Sequence, residues 1–200
     1  MHTSRLEAFS DGVIAILITI MVLELRLPEG ADAAALRSLA PTFAAYVMSF
    51  IYLGIYWNNH HHMFHVVDRV TGGILWANLH LLFWLSLVPF VTNWMGEHPH
   101  DPLPTAIYGG VLICAAIAYT ILVRTIIHAQ GPQSKLKAAV GSDNKGNVSL
   151  LLYAVAIATT AVRHEIAWAF YALVALIWLV PDRRIERVLQ AGLKGPPHVM

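Results

Sequence analysis

The stretch that decides the fold is Arg5-Leu6-Glu7-Ala8-Phe9-Ser10-Asp11-Gly12-Val13-Ile14-Ala15-Ile16-Leu17-Ile18-Thr19-Ile20-Met21-Val22-Leu23-Glu24. It is an apolar run entered through an arginine and a Phe-Ser-Asp triplet, with one hydroxyl halfway along and an acid at its far end. Crossing about 30 Å of hydrocarbon takes about 20 mostly apolar residues. An acid held inside costs about 2.5–3.5 kcal/mol at a helix centre and less toward an end. Each polar group in the run therefore needs a partner or a task.

Helical periodicity puts Phe9, Gly12, Val13, Ile16, Thr19, Ile20 and Leu23 on one face, with Asp11 projecting from nearly the opposite side. Ser10 and Asp11 have two readings: they cap the start of the helix, or they belong to a buried polar network that fixes it against its neighbours. In the second reading Asp11 meets Arg5, a histidine from another span, or backbone N–H groups. Thr19 taken alone reads as a hydroxyl bonded back to the preceding turn or as a bridge between helices.

Composition sets the class. Hydrophobic residues make up 57% of the 200 and charged residues 12%, with mean hydropathy +0.59, against about one-quarter charged in a soluble domain. This is an integral membrane protein. A net charge of +1, with its cations spread over loops and chain ends, excludes a nucleic-acid partner. The single cysteine, Cys114, excludes an intrachain disulfide.

Six apolar stretches, at about 8–26, 40–58, 74–95, 105–127, 147–163 and 166–181, predict one all-α domain of six transmembrane helices covering 1–200. The last two are short and separated only by Arg163-His164-Glu165, which reads as a tight helical hairpin. Elsewhere the loops carry turn residues such as Pro28-Glu29-Gly30, Thr71-Gly72-Gly73 and Gly131-Pro132. Placing the N-terminus in the cytoplasm puts Arg5, Arg69, Arg124, Lys135, Lys137, Lys145, Arg183, Arg184, Arg187 and Lys194 inside. Only Arg26, Arg37 and Arg163 remain outside. The expectation is a multi-pass protein of the cell inner (plasma) membrane with both termini cytoplasmic. The Arg183-Arg184-Arg187 group would there meet anionic lipid head groups. Val13 to Leu23 followed by Ala31-Asp32-Ala33 imitates a cleaved signal peptide, but Asp11, Glu24 and Arg26 around the run argue against it.

A second conspicuous stretch is Tyr56-Trp57-Asn58-Asn59-His60-His61-His62-Met63-Phe64-His65. His61 and His65 would stack on one helix face as a metal pair does. A membrane di-iron oxygenase, however, needs several histidine boxes, and His80, His98, His100, His128, His164 and His198 are scattered. No metal, no cofactor and no enzymatic step are therefore expected. Either these histidines and Trp57 lie at the membrane interface, or His60 or His61 meets Asp11 or Arg5 in an internal network sensitive to pH near neutrality. The third span adds Asn78, which needs a partner in apolar surroundings, with His80 and Thr92, and Pro89, which should kink the helix. Ala115-Ala116, Gly109-Gly110 and Ala158-Thr159-Thr160-Ala161 read as small-residue packing faces.

Arg5 followed by Phe9-Ser10-Asp11 resembles the R-x-x-x-F-S-D signature of the transmembrane-protein-175 family of potassium channels, whose bacterial members are single six-span repeats. Trp57-x-Asn59-His60-His61-x-x-Phe64, Asn78 and Pro89-Phe90 are also similar to that family. The resemblance implies a homotetramer whose first helices line the axis. It implies no Thr-Val-Gly-Tyr-Gly filter, and this sequence has none. It assigns Ile16 to a hydrophobic constriction, Leu23 to a second apolar ring and Thr19 to the hydroxyl layer associated with selectivity. Arg5, Ser10, Asp11, Trp57, His60, His61 and Asn78 would brace the helix.

One helix cannot enclose a path, so a chain with one such face must assemble around an axis. Four Ile16 side chains would make a neck that closes by dewetting, and four Thr19 hydroxyls would partly replace ion hydration. Glu24 would enrich cations at the outer end or pair with Arg26. The expected function is a potassium-favouring cation channel with lipid and monovalent cations as partners. The alternative is a proton-coupled secondary transporter working through Asp11, Arg5 and His60 or His61.

Overall fold

The first helix begins more than a turn before the apolar run: α1 spans Thr3–Leu23 in the computed structural model, which describes residues 3–67, 69–134, 136–137 and 144–179. Leu6, Glu7 and Ala8 are good helix formers, so the helix propagates outward through them. At the other end it stops before Pro28, ahead of the boundary near 26 that hydropathy indicates. Ser10 and Asp11 consequently lie inside the helix, and the capping reading falls. The Ser10 hydroxyl instead donates to the Leu6 carbonyl at 2.9 Å.

After a short α2 (Ala33–Ser38), capped by the Asp32 carboxylate on the Ala35 N–H at 2.8 Å, α3 runs Ala40–Phe64. It carries the whole Trp57–Phe64 stretch in helical form, six residues beyond the expected end at 58. α4 (Gly72–Ser86) starts on the Thr71 side chain, and α5 (Val88–Glu97) follows after a break at Leu87. The break has the cause the sequence indicates: Pro89 has no N–H for the carbonyl of Leu85. α6 (Pro102–Gln130) opens on two prolines and closes at Gly131, whose φ of +74° suits glycine, before a 3₁₀ turn at Gly131–Gln133. α7 (Asn144–Thr160) and α8 (His164–Leu179) form the hairpin expected around Arg163, its turn closed by the Arg163 N–H on the Thr159 carbonyl at 2.8 Å.

Among the described residues, four segments are long and apolar enough to cross a membrane: α1, α3, α4 with α5 as Gly72–Glu97, and α6. α7 and α8 are shorter, at 17 and 16 residues, and the expected end of the last span at 181 lies outside the described residues. Lys135, Arg183, Arg184, Arg187 and Lys194 lie outside them as well.

α3 packs on α1, α5 and α8, and α6 packs on α4, α5, α7 and α8. Between them sits a tyrosine core. Tyr52 donates to the Tyr171 carbonyl at 2.6 Å, Tyr171 donates to the Thr105 carbonyl at 2.9 Å, and the Tyr108 hydroxyl lies 3.0 Å from Ser49 Oγ. Thr92 Oγ1 stands 2.7 Å from the same Ser49 Oγ, carrying the polar chain from α6 through α3 to α5. These hydroxyls have partners, as buried polar groups must. Gly109 lets Tyr171 approach α6, since a Cβ there would overlap the phenol, whereas Gly110 faces open space. A Cβ at Gly96 would stand 2.7 Å from Thr42 Cα, so α3 and α5 meet backbone to backbone. Of the small-residue face expected at Ala158-Thr159-Thr160-Ala161, Ala158 and Ala161 are exposed in the protomer and Thr160 is buried; the other buried positions of α7 are Ser149, Tyr153 and Ala156. Outside, Trp76, Phe83, Phe90, Leu151 and Leu176 face away from the protein, as in a chain solvated by hydrocarbon.

Candidate functional site

α1 has two unlike faces. Leu6, Ser10, Ile14, Leu17 and Met21, spaced by three and four, are buried against α3, α4 and α5. Opposite them Phe9, Gly12, Ile16, Thr19, Ile20 and Leu23 are exposed, Ile16 at 57% and Leu23 at 80%, while Val13 is half-buried at the seam. Thr19 Oγ1 lies 2.9 Å from the Ile16 carbonyl and 3.1 Å from that of Ala15, so its proton is given back to its own helix. The oxygen lone pairs are left on the uncovered side.

The buried face carries one polar chain. Ser10, wholly buried, has committed its proton to Leu6, so its oxygen accepts from Asn78 Nδ2 at 2.9 Å. That orients the amide, because Asn78 Oδ1 must then face His60, whose Nε2 stands 2.8 Å away and donates. α1, α4 and α3 are tied together through Ser10, Asn78 and His60. Two acceptors in this region, Asp11 Oδ1 and His60 Nδ1, are buried without a hydrogen-bond donor among the described residues.

The other residues of the expected network are placed differently. His61 does not meet Asp11; its Nδ1 bonds Glu7 Oε1 at 2.7 Å, and its Nε2 stands 3.0 Å from His65 Nε2. Trp57 is half-exposed and stacks on His61, with centroids 6.2 Å apart. Arg5 is exposed and makes no ion pair or hydrogen bond among the described residues. His80 keeps to its own helix, accepting from Trp84 Nε1 at 3.0 Å. Arg26 pairs with Glu97 at 3.0 Å rather than with Glu24, fastening the exit of α1 to the end of α5.

Residues 5–89, which span α1, α3, α4 and the Pro89 break, match the family described as the endosomal/lysosomal potassium channel TMEM175. A potassium channel of Chryseobacterium sp. is 57% identical over 95% of this chain and 99% of its own. The chain belongs to the TMEM175 family. A potassium channel of Streptomyces collinus is 36% identical over 60% of this chain and 63% of its own. Among solved structures, the lysosomal potassium-selective channel TMEM175 homolog from Chamaesiphon minutus superposes with TM-score 0.79 at 29% identity, covering 90% of this chain and 97% of that one. The fold is thus a TMEM175 channel fold. A member of this channel family is a membrane protein and not an enzyme.

Within the TMEM175 match, Glu7 is the residue the sequence did not point to. It occupies an unspecified position of the R-x-x-x-F-S-D signature, and only the approach of α1 to α3 brings it to His61. Thr3 adds a second tie at the same end, donating to the Val67 carbonyl at 3.1 Å. The spacing of His61 and His65 was legible in sequence; the carboxylate beside them was not.

Proposed function

We propose that this protein is a potassium-favouring cation channel, a homotetramer of six-span subunits with both termini in the cytoplasm of a cell inner membrane. The first helix of each subunit lines the axis. The observation that carries this reading is the uncovered face of α1: a helix anchored on one side by Leu6, Ser10, Ile14, Leu17 and Met21 leaves Ile16, Thr19 and Leu23 without cover inside the protomer. Rotational assembly is the arrangement in which identical copies of one such face enclose a path.

In that arrangement four Ile16 side chains form the neck and four Leu23 side chains a second apolar ring. A neck of branched carbons excludes water and ions when narrow and conducts when dilated. Between them the Thr19 oxygens, their protons engaged by the helix backbone, turn lone pairs to the axis and replace part of a cation's hydration. The potassium-channel names of two relatives and of the solved homologue support potassium as the favoured ion. The Ser10–Asn78–His60 chain holds α1 at a set rotation, and rotation decides which residues face the axis.

Reconstitution of the pure protein in planar bilayers tests this reading. Unitary current steps with a reversal potential displaced toward potassium are expected, together with a detergent-corrected mass of four chains. A monomeric mass, or coupled uptake without current steps, would sink it.

A further inference from the structure

Glu7, His61 and His65 bring their ligand atoms within 4.8 Å of one another where the start of α1 meets the end of α3. Three features make this more than a surface cluster. First, His61 lies in the last turn of α3 and His65 caps that helix one turn further on, and their Nε2 atoms point at each other across 3.0 Å. Nitrogens bound at about 2.0–2.1 Å and separated by that distance subtend an angle of about 95° at a metal. Opening the pair to about 3.3 Å reaches the tetrahedral value.

Second, Glu7 accepts the Nδ1 proton of His61 at 2.7 Å. This is the carboxylate–imidazole arrangement that fixes the tautomer of a metal-bound histidine and raises the basicity of its other nitrogen. In the neutral ring this leaves the lone pair on His61 Nε2, the nitrogen that faces His65. Third, the site is accessible: His65 is exposed and His61 and Glu7 are half-buried, so an ion can enter and water can complete its coordination.

We propose that His61 and His65 bind one divalent transition-metal ion through their Nε2 atoms, with Glu7 as the carboxylate that orients His61. Zinc-like ions suit two imidazoles with water better than calcium or magnesium, which demand oxygen ligands. Binding moves the proton now shared between the two Nε2 atoms to His65 Nδ1 or to solvent. Because Glu7 belongs to α1 and the histidines to the end of α3 and its cap, the occupied site restrains the start of α1. That consequence rests on the channel reading above: if the Ile16 neck opens by movement of α1, metal holds it closed.

The test uses the full-length protein without an affinity tag. Titration with Co²⁺ should bring visible d–d absorption that saturates at one ion per chain. E7Q should weaken binding about 10–100-fold, as the loss of such an orienting partner does. H65Q should abolish the signal, and H62Q, at a neighbouring histidine outside the cluster, should leave it intact. Metal-free melting curves of all three variants verify that each is folded. No absorption in the wild type, or equal affinity in H65Q and wild type, overturns the site. In bilayers Zn²⁺ should cause loss of wild-type current and spare H65Q. Zn²⁺-insensitive wild-type currents beside a saturating Co²⁺ spectrum would refute the restraint while upholding the site. A protein that passes no current yet shows the spectrum would fail the channel reading alone.

Discussion

The Nδ2 of Asn78 donates to Ser10 Oγ across 2.9 Å, and this one bond fixes the direction of everything beside it. Ser10 can accept because its own proton is spent on Leu6, so the amide oxygen of Asn78 is turned to His60. The helix that carries Ile16 and Thr19 is thus located by a side chain on α4.

Asn78→Leu keeps the branched heavy-atom outline of the side chain and removes both bonds. It leaves His60 Nε2 without an acceptor in a buried site, a loss of about 1–3 kcal/mol. Ser10→Ala removes a single interhelical bond and should cost less, near the average of about 0.6 kcal/mol for such bonds in membrane proteins. Thermal melts of the detergent-solubilised protein should rank N78L below S10A and S10A below wild type; a wild-type melt for N78L would mean that the chain does not hold α1.

Ile16→Asn puts four amides where the neck is proposed. The barrier to wetting falls, and leak current should rise by about tenfold or more, equivalent to roughly 1.4 kcal/mol off the barrier. Exposure of Ile16 makes the substitution harmless to the protomer fold, so unchanged conductance would remove Ile16 from the constriction.

Thr19→Val preserves shape and deletes the hydroxyl. If the ring of hydroxyls contributes a differential of about 0.5–1.5 kcal/mol, one net hydrogen bond, the potassium-to-sodium permeability ratio should fall roughly two- to tenfold. Reversal potentials under a potassium/sodium gradient read this directly. An unaltered value places selectivity elsewhere.

Gly109→Ala and Gly110→Ala are adjacent and should differ. The first drives a methyl into the Tyr171 phenol, which is bonded to the Thr105 carbonyl and cannot move freely. Overpacking of that kind costs about 1–3 kcal/mol. The second faces open space and should melt with the wild type. Equal melts for the two would contradict the close approach of α6 and α8.

What the sequence alone determined was chemistry with a local cause. Apolar length predicted the membrane class and its helices, Pro89 predicted the break before α5, and the signature Arg5, Phe9, Ser10 and Asp11 pointed to the family. Helical periodicity separated the face of Ile16, Thr19 and Leu23 from the rest, because a face depends only on position along one helix. Tertiary structure decided the pairings. Sequence offered His60 or His61 to Asp11 and Arg5; packing gave His60 to Asn78 and His61 to Glu7, and left Arg5 exposed. It also made Ser10 an interior acceptor rather than a cap, and turned the small-residue face at Gly109 into the seat of Tyr171 in a tyrosine-lined core. A partner on another helix is set by the rotation and depth of two helices relative to each other. No spacing within either one encodes that relation, which is why Glu7 became visible only once α1 was laid against α3.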